Sequence, residues 1–318
     1  MADTYNNLYL DARRLLRQAG IEAAPLEARE LLTHAAGKRR EELIRDFSLY
    51  APDPVAQRYR ELIQRRLAGE PVAYLLGEWD FYGLNLEVCR DVLIPRPDTE
   101  SLVERGILAV RQVEGRPARV LDLCTGSGCV GLAIADNCPG ARVVLADWSE
   151  KALRVCRSNI RQCLMEDWVS TAWLDALQPP PTALGRFDVI VSNPPYIPTG
   201  DIDALSPSVR EFEPRMALDG GEDGLDFYRA ISTLWRETLE PEGKLIFEIG
   251  WDQAPDVQYI MAQAGYVDLK VFQDDAGNWR VVEGRVPAPP EEPEEPEHQE
   301  HEEHEEDNAS WETEQGLA

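Results

Sequence analysis

Residues 119–131 read RVLDLCTGSGCVG, an apolar run that passes directly into a glycine-rich loop. Gly126, Gly128 and Gly131 satisfy the pattern G-x-G-x-x-G, and Asp147 follows 19 residues after Gly128, at the end of the next apolar run. Glycines at this spacing allow a tight turn between a strand and a helix and the close approach of a ligand, while the acid can accept hydrogen bonds from two ribose hydroxyls. The spacing alone fits a dinucleotide dehydrogenase as well as an enzyme that binds an adenosyl cofactor.

Strands and helices alternate on both sides of this loop, and each strand is a nearly continuous apolar run. The predicted strands are 119–124, 142–147, 187–193 and 243–250, followed by 268–273 and 279–283. The predicted helices are 98–112, 129–137, 149–162, 224–239 and 253–263. This alternation predicts an α/β fold with a doubly wound parallel sheet, closed at one edge by an antiparallel pair.

The remaining chain divides by composition. Leucines recur at helical spacing between residues 4 and 67, which predicts a small helical bundle, and 69–100 reads as a turn plus a hairpin. The end of the chain is rich in Pro and Glu and is expected to be disordered. The predicted domains are an N-terminal helical domain (1–80), a hairpin connector (81–100), the α/β domain (101–286) and an acidic tail (287–318).

The chain is acidic, with 32 Lys and Arg against 58 Asp and Glu and a formal net charge of −26. Half of this net charge lies in residues 291–318, which contain 13 acids and no Lys or Arg. An acidic fold argues against a protein that grips nucleic acid phosphates non-specifically. The N-terminus lacks the apolar segment of a signal peptide, and the cysteines form no Cys-x-x-Cys pair, so we expect a soluble cytoplasmic protein.

Histidine is scarce, which narrows the chemistry. His298, His301 and His304 lie in the acidic tail, where the cost of ordering the chain weighs against metal binding, and no metal site is predicted. His34 alone lies in the predicted fold, in a setting typical of a structural helical histidine. Catalysis by imidazole is therefore not expected.

Two further residues bear on the cofactor. Asp122 lies inside the first predicted strand, where a buried carboxylate needs a partner. It can serve the ammonium group of a cofactor directly, through water or by fixing the loop. S-adenosylmethionine carries such an ammonium group and a nicotinamide cofactor does not. Trp173 is placed where an aromatic side chain can pack on an adenine ring.

Asn193-Pro194-Pro195-Tyr196 lies at the end of the predicted strand 187–193, at the edge of the sheet where α/β proteins bind ligands. The side-chain oxygen of Asn193 and the carbonyl of Pro194 can accept both hydrogens of a planar NH₂ group, and Tyr196 can stack on that group. Holding the nitrogen in this way aims its lone pair at an electrophile and stabilises the positive charge that develops as a methyl group arrives. This step requires no general base.

Together these motifs resemble the class I S-adenosylmethionine-dependent methyltransferases that act on planar nitrogens. The chain from 5 to 285 resembles one subgroup, the protein-(glutamine-N5) methyltransferases of peptide chain release factors, also called the PrmC or HemK family. The specific matches are LIPRPDTE (93–100) and EFEPRMALDGGEDGL (211–225), since Asn-Pro-Pro-Tyr alone is shared with adenine methyltransferases. Further matches are GEPVAYLLG (69–77), FYGL (81–84), VLDLCTGSG (120–128), VSNPPYI (191–197), FEIGWDQ (247–253) and DDAGNWRVVEGR (274–285).

The resemblance implies a Rossmann-like methyltransferase domain behind a helical domain that docks the protein substrate. It implies transfer of a methyl group from S-adenosylmethionine to the side-chain amide N5 of the glutamine in the Gly-Gly-Gln motif of a release factor. The residues expected to bind the cofactor are Asp122, Cys124, Thr125, Gly126, Ser127, Gly128, Asp147, Trp173 and Asn193. The residues expected to bind the substrate are Asn193, Pro194, Pro195 and Tyr196, with Asn193, Pro194 and Tyr196 in catalysis.

Two positions depart from the family pattern, and two alternative functions stay open. Cys124 stands where Gly is expected, and Ala172 stands where many members have an acid near the adenine amine, a role that Asp175 could take only if the segment is shifted.

One alternative function is that of a glutamine methyltransferase of a large-subunit ribosomal protein, a subgroup that varies the IPRPDTE segment. The other is a nucleic-acid adenine-N6 methyltransferase, which should show a basic target-recognition region. We expect a monomer that binds release factors and neither nucleic acid nor membrane.

Overall fold

The computed structural model describes residues 3–288, and its first elements are helices packed around a shared apolar core. These helices are α1 Tyr5–Gln18, α2 Ala24–Ala36, α3 Arg40–Arg45, α4 Asp53–Leu67 and α5 Val72–Leu76. Leu16, Leu31 and Leu43 are fully buried, which explains the helical spacing of leucines in the sequence. The predicted helical bundle is therefore confirmed.

A two-stranded hairpin follows the helices. Its strands are β1 Glu78–Phe81 and β2 Leu84–Glu87, which pair antiparallel. The two turn residues, Tyr82 and Gly83, have φ values of 48° and 82°. Positive φ at both central residues is the geometry of a tight hairpin turn whose twist matches that of the strands. The hairpin predicted within 69–100 is confirmed, although β1 begins at Glu78, before the connector predicted over 81–100.

The rest of the described chain alternates between strands and helices. The strands are β3 Arg119–Leu123, β4 Arg142–Asp147, β5 Val169–Trp173, β6 Phe187–Ser192, β7 Leu239–Glu248, β8 Val267–Gln273 and β9 Trp279–Arg285. The helices are α6 Glu100–Val110, α7 Cys129–Asn137, α8 Glu150–Gln162, α9 Pro207–Arg210, α10 Asp226–Leu234 and α11 Ala254–Gln263. None of the helices in residues 3–288 is long and apolar enough to cross a membrane.

The seven strands form one sheet in the order β5-β4-β3-β6-β7-β9-β8. Strands β5, β4, β3, β6 and β7 are parallel, and β9 runs antiparallel to both β7 and β8. The doubly wound parallel sheet and its antiparallel edge are therefore confirmed. The chain direction across the sheet reverses between β3 and β6, so the loops that follow these two strands diverge and leave a crevice at their carboxyl ends.

Both faces of the sheet are covered by helices. Inward residues alternate along β3, where Val120 contributes to the core beneath α6, α7 and α8, and Leu121 to the core beneath α10 and α11. Trp235, which directly follows α10, is fully buried, and its indole N–H donates to the Ala176 carbonyl at 3.0 Å. This two-sided burial is the reason that the strands read as continuous apolar runs.

Two details differ from the sequence-based prediction. Strand β5 is missing from the predicted strands, because VSTAW is short, partly polar and at the edge of the sheet. The helix predicted over 224–239 ends at Leu234, and a 3₁₀ turn and the early start of β7 occupy the remainder. The domain boundaries stay a prediction, and the predicted disorder and histidines of the tail from residue 289 onward fall outside the described residues.

Candidate active site

A cavity of about 500 Å³ opens at the carboxyl ends of β3, β4 and β6, in the crevice described above. One wall is the glycine loop that follows β3, together with the end of β4. The opposite wall contains Asn193 and Pro195, and residues from the segments 91–99 and 214–227 complete it. The cavity thus joins the two halves of the site that were predicted separately.

The predicted site residues divide into two groups by position. Those that line the cavity are Asp122, Cys124, Thr125, Gly126, Ser127, Asp147, Asn193 and Pro195. Those that lie outside the described cavity wall are Gly128, Trp173, Pro194 and Tyr196. Burial raises the pKa of Tyr196 to about 12, so its phenol stays protonated at neutral pH and does not act as a base.

The glycine loop turns through three residues with left-handed backbone conformation. Cys124, Gly126 and Gly128 have φ values of 59°, 58° and 87°. Gly131 has a different role, since a Cβ atom there would lie 2.3 Å from the Leu145 side chain. The loop needs glycine for its turn and for the packing of α7 on β4, and Cys124 adopts a conformation that normally favours glycine.

The buried Asp122 side chain holds the glycine loop in place through two hydrogen bonds. Its Oδ2 atom accepts hydrogen bonds from the Thr125 hydroxyl at 2.6 Å and from the Gly131 N–H at 2.9 Å. Burial raises the pKa of Asp122 to about 7, although both hydrogen bonds lower it. Of the three roles considered for this carboxyl, fixing the loop is the one that its contacts display.

Asp147 connects the glycine loop to the segment after β4. Its Oδ2 atom accepts from the Gly126 N–H at 3.0 Å, and its Oδ1 atom accepts from the Ser149 N–H at 2.8 Å. Burial raises the pKa of Asp147, and these backbone donors oppose the shift. Each carboxylate oxygen retains a second lone pair, so the group can still accept from ribose hydroxyls.

The aromatic residues in the described cavity lining are Trp148 and Phe227, and Trp173 lies against Trp148 outside that lining. The two rings stack with centroids 4.5 Å apart, and the Trp173 indole N–H donates to the Trp148 carbonyl at 2.7 Å. Asp175 lines the cavity, whereas Ala172 is not among its described lining residues. An adenine contact by Trp173 stays a prediction, and Trp148 was missed although it directly follows Asp147.

Asn193 is held by a neighbour from a distant part of the sequence. Its Nδ2 atom donates to the Thr99 hydroxyl at 3.3 Å, and Thr99 also lines the cavity. The motif is anchored further along, because Gln253 Nε2 donates to the Tyr196 carbonyl at 3.0 Å. At Gly220, a Cβ atom would lie 2.8 Å from the Pro195 carbonyl oxygen, so a larger residue there would displace the motif.

The two specific sequence matches meet at this wall. Arg96 forms an ion pair with the buried carboxylate of Glu213, which also accepts from the Ile94 N–H at 3.4 Å. Asp98 forms an ion pair with Arg280 at 3.2 Å. The contacts of Thr99 and Glu213 were missed, although both residues lie in the quoted motifs, since sequence spacing does not reveal which distant segments meet.

Two family models match the chain. Residues 7–77 match the PrmC N-terminal domain, and residues 106–205 match the methyltransferase small domain. The release factor glutamine methyltransferase of Geobacter sulfurreducens is 41% identical over 274 residues, which cover 86% of this chain and 94% of that protein. The release factor glutamine methyltransferase of Bradyrhizobium diazoefficiens is 41% identical over 275 residues, which cover 85% of this chain and 91% of that protein.

A solved structure agrees on the fold. The catalytic domain of hMettl16, in complex with a 3'UTR hairpin, matches with a TM-score of 0.52 and 14% identity, and covers 74% of this chain and 84% of that chain. At this identity the likeness concerns the fold alone, which is that of the S-adenosylmethionine-dependent class I methyltransferases. The extent of the matches to the two bacterial relatives, over nearly their whole length, is decisive for the family. The chain belongs to the release factor glutamine methyltransferase family.

Proposed function

We propose that this protein transfers a methyl group from S-adenosylmethionine to the side-chain amide N5 of the glutamine in the Gly-Gly-Gln motif of peptide chain release factors. The observation that carries the proposal is a single cavity lined both by Asp147, suited to ribose, and by Asn193, suited to a planar amide. The methyl donor and the acceptor nitrogen can therefore meet in one enclosed space.

The cofactor half of the cavity fits an adenosyl ligand with a charged amino-acid end. The Oγ atom of Ser127 is buried, belongs to a residue of the cavity lining and makes no hydrogen bond of good geometry within residues 3–288, so it can hydrogen-bond a ligand. Nothing obstructs the space beside Gly126, so a ligand can approach the backbone closely. When bound, S-adenosylmethionine supplies a methyl group on a positively charged sulfur. The carboxylates of Asp122 and Asp147 add negative charge suited to that cation.

The half of the cavity that binds the methyl acceptor must activate an amide nitrogen. An amide nitrogen is a poor nucleophile because its lone pair is delocalised into the carbonyl group. Acceptance of its two hydrogens by the Asn193 oxygen and the Pro194 carbonyl would polarise both N–H bonds and orient the nitrogen. Asn193 belongs to the described cavity lining, and Pro194, the next residue, does not. The same acceptors would stabilise the positive charge that develops on nitrogen as the bond between nitrogen and methyl forms and the bond between sulfur and methyl breaks. The sulfur would leave as a neutral thioether, and the nitrogen would release one proton to water.

The substrate assignment is supported by the walls of the cavity. The segments 93–100 and 211–225, which are specific to the family, contribute Leu93, Arg96, Thr99 and Met216 to the lining. A glutamine at the end of a flexible glycine-containing loop can reach into such a cavity. The acidic chain suits a partner with a basic, RNA-facing surface. We propose that the protein acts as a monomer in the cytoplasm, where translation terminates.

The direct test is the intact mass of a release factor incubated with this protein and S-adenosylmethionine. The proposal predicts that the release factor gains one methyl group in place of one hydrogen. The matched control is a release factor in which the glutamine of the Gly-Gly-Gln motif is replaced by alanine, which should gain nothing. Equal methylation of both release factors would place the reaction on another residue and contradict the proposal.

A further inference from the structure

A buried carboxyl group lies behind Asn193 and has no part in the reaction as described above. Glu248 ends β7, is 2% exposed and is not among the described residues that line the cavity. Its Oε2 atom has no hydrogen-bond partner of good geometry among residues 3–288. A buried carboxylate with an unpartnered oxygen destabilises the fold, so its position close to the site calls for a functional reason.

Glu248 lies beside Asn193 at the carboxyl ends of two paired strands, because the preceding residues, Ser192 on β6 and Phe247 on β7, are opposite each other in the parallel register. Burial raises the pKa of Glu248 to about 7, whereas the polar groups of Thr99 and Asn193 and the charge of Arg280 lower it. Thr99 is itself 2% exposed and therefore has little freedom to turn away. Asn193, Thr99 and Glu248 thus form one polar cluster between the cavity and the end of β7.

The donor and acceptor groups of this cluster determine which way the Asn193 side-chain amide faces. Asn193 Nδ2 lies 3.3 Å from Thr99 Oγ1, so the amide donates and the hydroxyl accepts. The hydroxyl keeps its own hydrogen, and the carboxyl group of Glu248 can accept it, since an ionised carboxylate only accepts. Reversal of the Asn193 amide would set its oxygen against the carboxylate and turn its two donors toward the NH₂ group of the substrate.

We infer that Thr99 and Glu248 are positioning residues that hold the Asn193 side-chain amide with its oxygen toward the methyl-acceptor nitrogen. This inference rests on the proposed function, in which that oxygen accepts a hydrogen from the substrate amide. It also gives a physical role to one threonine of the segment LIPRPDTE, which is otherwise distant from Asn193 in the sequence. Neither residue contacts the reacting atoms in this account; both act through Asn193.

Protonation of Glu248 should make the turnover number depend on pH. Ionised Glu248 accepts hydrogens only, whereas the protonated group can donate to a reversed Asn193 amide. The titratable groups that face Glu248 from the elements around it are Asp98, Cys129, Tyr196, Tyr228 and Arg280. Burial raises the pKa of Cys129 and Tyr196 to about 12 and that of Tyr228 further, so these three stay neutral near pH 7. The turnover number should therefore fall as the pH drops below about 7.

The first test compares variants of the full chain at saturating S-adenosylmethionine and release factor. Thr99→Val removes the hydroxyl at nearly constant volume and should lower kcat by about tenfold or more, while Thr99→Ser should restore most of it. Glu248→Gln should lower kcat at about pH 8 by a similar factor and abolish its decline toward about pH 6. The control is Glu283→Gln, which changes a buried glutamate on β9 that is paired with Arg105 and should keep the wild-type pH profile.

The second test needs no methyl acceptor, so it stays informative even if the release factor is not the substrate. In protein labelled with ¹⁵N at asparagine, the side-chain NH₂ signal of Asn193, assigned from its loss in Asn193→Ala, should exchange slowly in the wild type. Exchange should become faster in Thr99→Val and Glu248→Gln. An unchanged exchange rate, or equal losses of kcat in Thr99→Ser and Thr99→Val, would overturn the inference. A wild-type chain that leaves release factors unmethylated but shows the predicted exchange would overturn the proposed function alone.

Discussion

Side chains at the carboxyl ends of the strands both hold the loops in place and face the cavity. Asp147 accepts from the N–H groups of Gly126 and Ser149, and so ties two loops together while it faces the cavity. Its residue type and place at the end of β4 could be predicted from the spacing to the glycine loop. Its backbone contacts could not, because they depend on the conformation of both loops.

Asn193 is the residue whose removal should separate binding from chemistry. Asn193→Ala removes an acceptor for the substrate amide, and the cofactor loop keeps its own contacts. We expect kcat to fall by about 100-fold or more, the size of loss typical when one preorganised hydrogen-bonding group is removed from an active site. The dissociation constant for S-adenosylmethionine, measured by calorimetry, should stay within about threefold. Asn85→Ala, an exposed asparagine in the hairpin, is the matched control, and an equal loss of cofactor affinity in Asn193→Ala would contradict the assigned role.

Asp122 should make cofactor binding depend on pH. Because burial raises its pKa to about 7, the group is mostly protonated at pH 6, and a cationic ligand favours the ionised form. The affinity for S-adenosylmethionine should therefore rise by up to about tenfold between about pH 6 and about pH 7.5, with release of protons on binding. Calorimetry in two buffers of different ionisation enthalpy measures both quantities.

The variant Asp122→Asn isolates this contribution. It keeps the shape of the side chain and should flatten most of the pH dependence, although Asp147 retains its own share. Asp188→Asn, which changes a buried aspartate paired with Arg116, should bind the cofactor with the wild-type dependence on pH. If Asp122→Asn and the wild type show the same rise in affinity, charge on Asp122 does not contribute to binding.

Among the helices and strands, the buried elements were predicted more accurately from the sequence than the exposed ones. Helix α7 and strand β4 begin and end at the predicted residues, because most of each element is buried and apolar and polar residues mark its ends. Strand β5 was missed, because an edge strand pairs on one side only and two of its five residues, Ser170 and Trp173, are exposed. The contact between the segments 93–100 and 211–225 could not be predicted either, since no local pattern specifies an ion pair 117 residues apart.

That ion pair should support the substrate side of the cavity more than the cofactor side. Arg96→Met keeps the length of the side chain but leaves the buried carboxylate of Glu213 without its partner, which destabilises the local structure. We expect KM for the release factor to rise by about tenfold, with cofactor affinity nearly unchanged. Arg116→Met breaks a comparable pair with Asp188, away from the described cavity lining, and should lower stability without this change in KM. Equal effects of the two variants on KM would contradict the role of Arg96.

At the scale of the whole molecule, the reversal of strand order determines where the site lies. The loops after β3 and β6 diverge at this point, and the family-specific segments cover the opening between them. The position of the crevice could be predicted from alternating strands and helices and from two motifs that each follow a strand. The shape of the cavity could not, because its outer wall comes from segments far apart in the sequence.

The described lining of the cavity comes from the middle of the chain. Every residue of its described lining falls between Asp91 and Phe227. Removal of residues 289–318, which carry about half of the net charge, should therefore leave kcat/KM on an isolated release factor within about threefold. Steady-state kinetics of the full and shortened chains measures this ratio. A loss of tenfold or more, concentrated in KM, would mean that the tail takes part in docking the substrate.

A labelled methyl group, followed to the molecule that receives it, distinguishes the release factor from the alternative acceptors. The protein is incubated with S-adenosylmethionine carrying a labelled methyl and a mixture of release factor, large-subunit ribosomal proteins and RNA, and peptides and nucleosides are then separated. The account predicts label in one peptide, at the glutamine of the Gly-Gly-Gln motif of the release factor. Label in a ribosomal protein or in methylated adenine, with the release factor unlabelled, would contradict it.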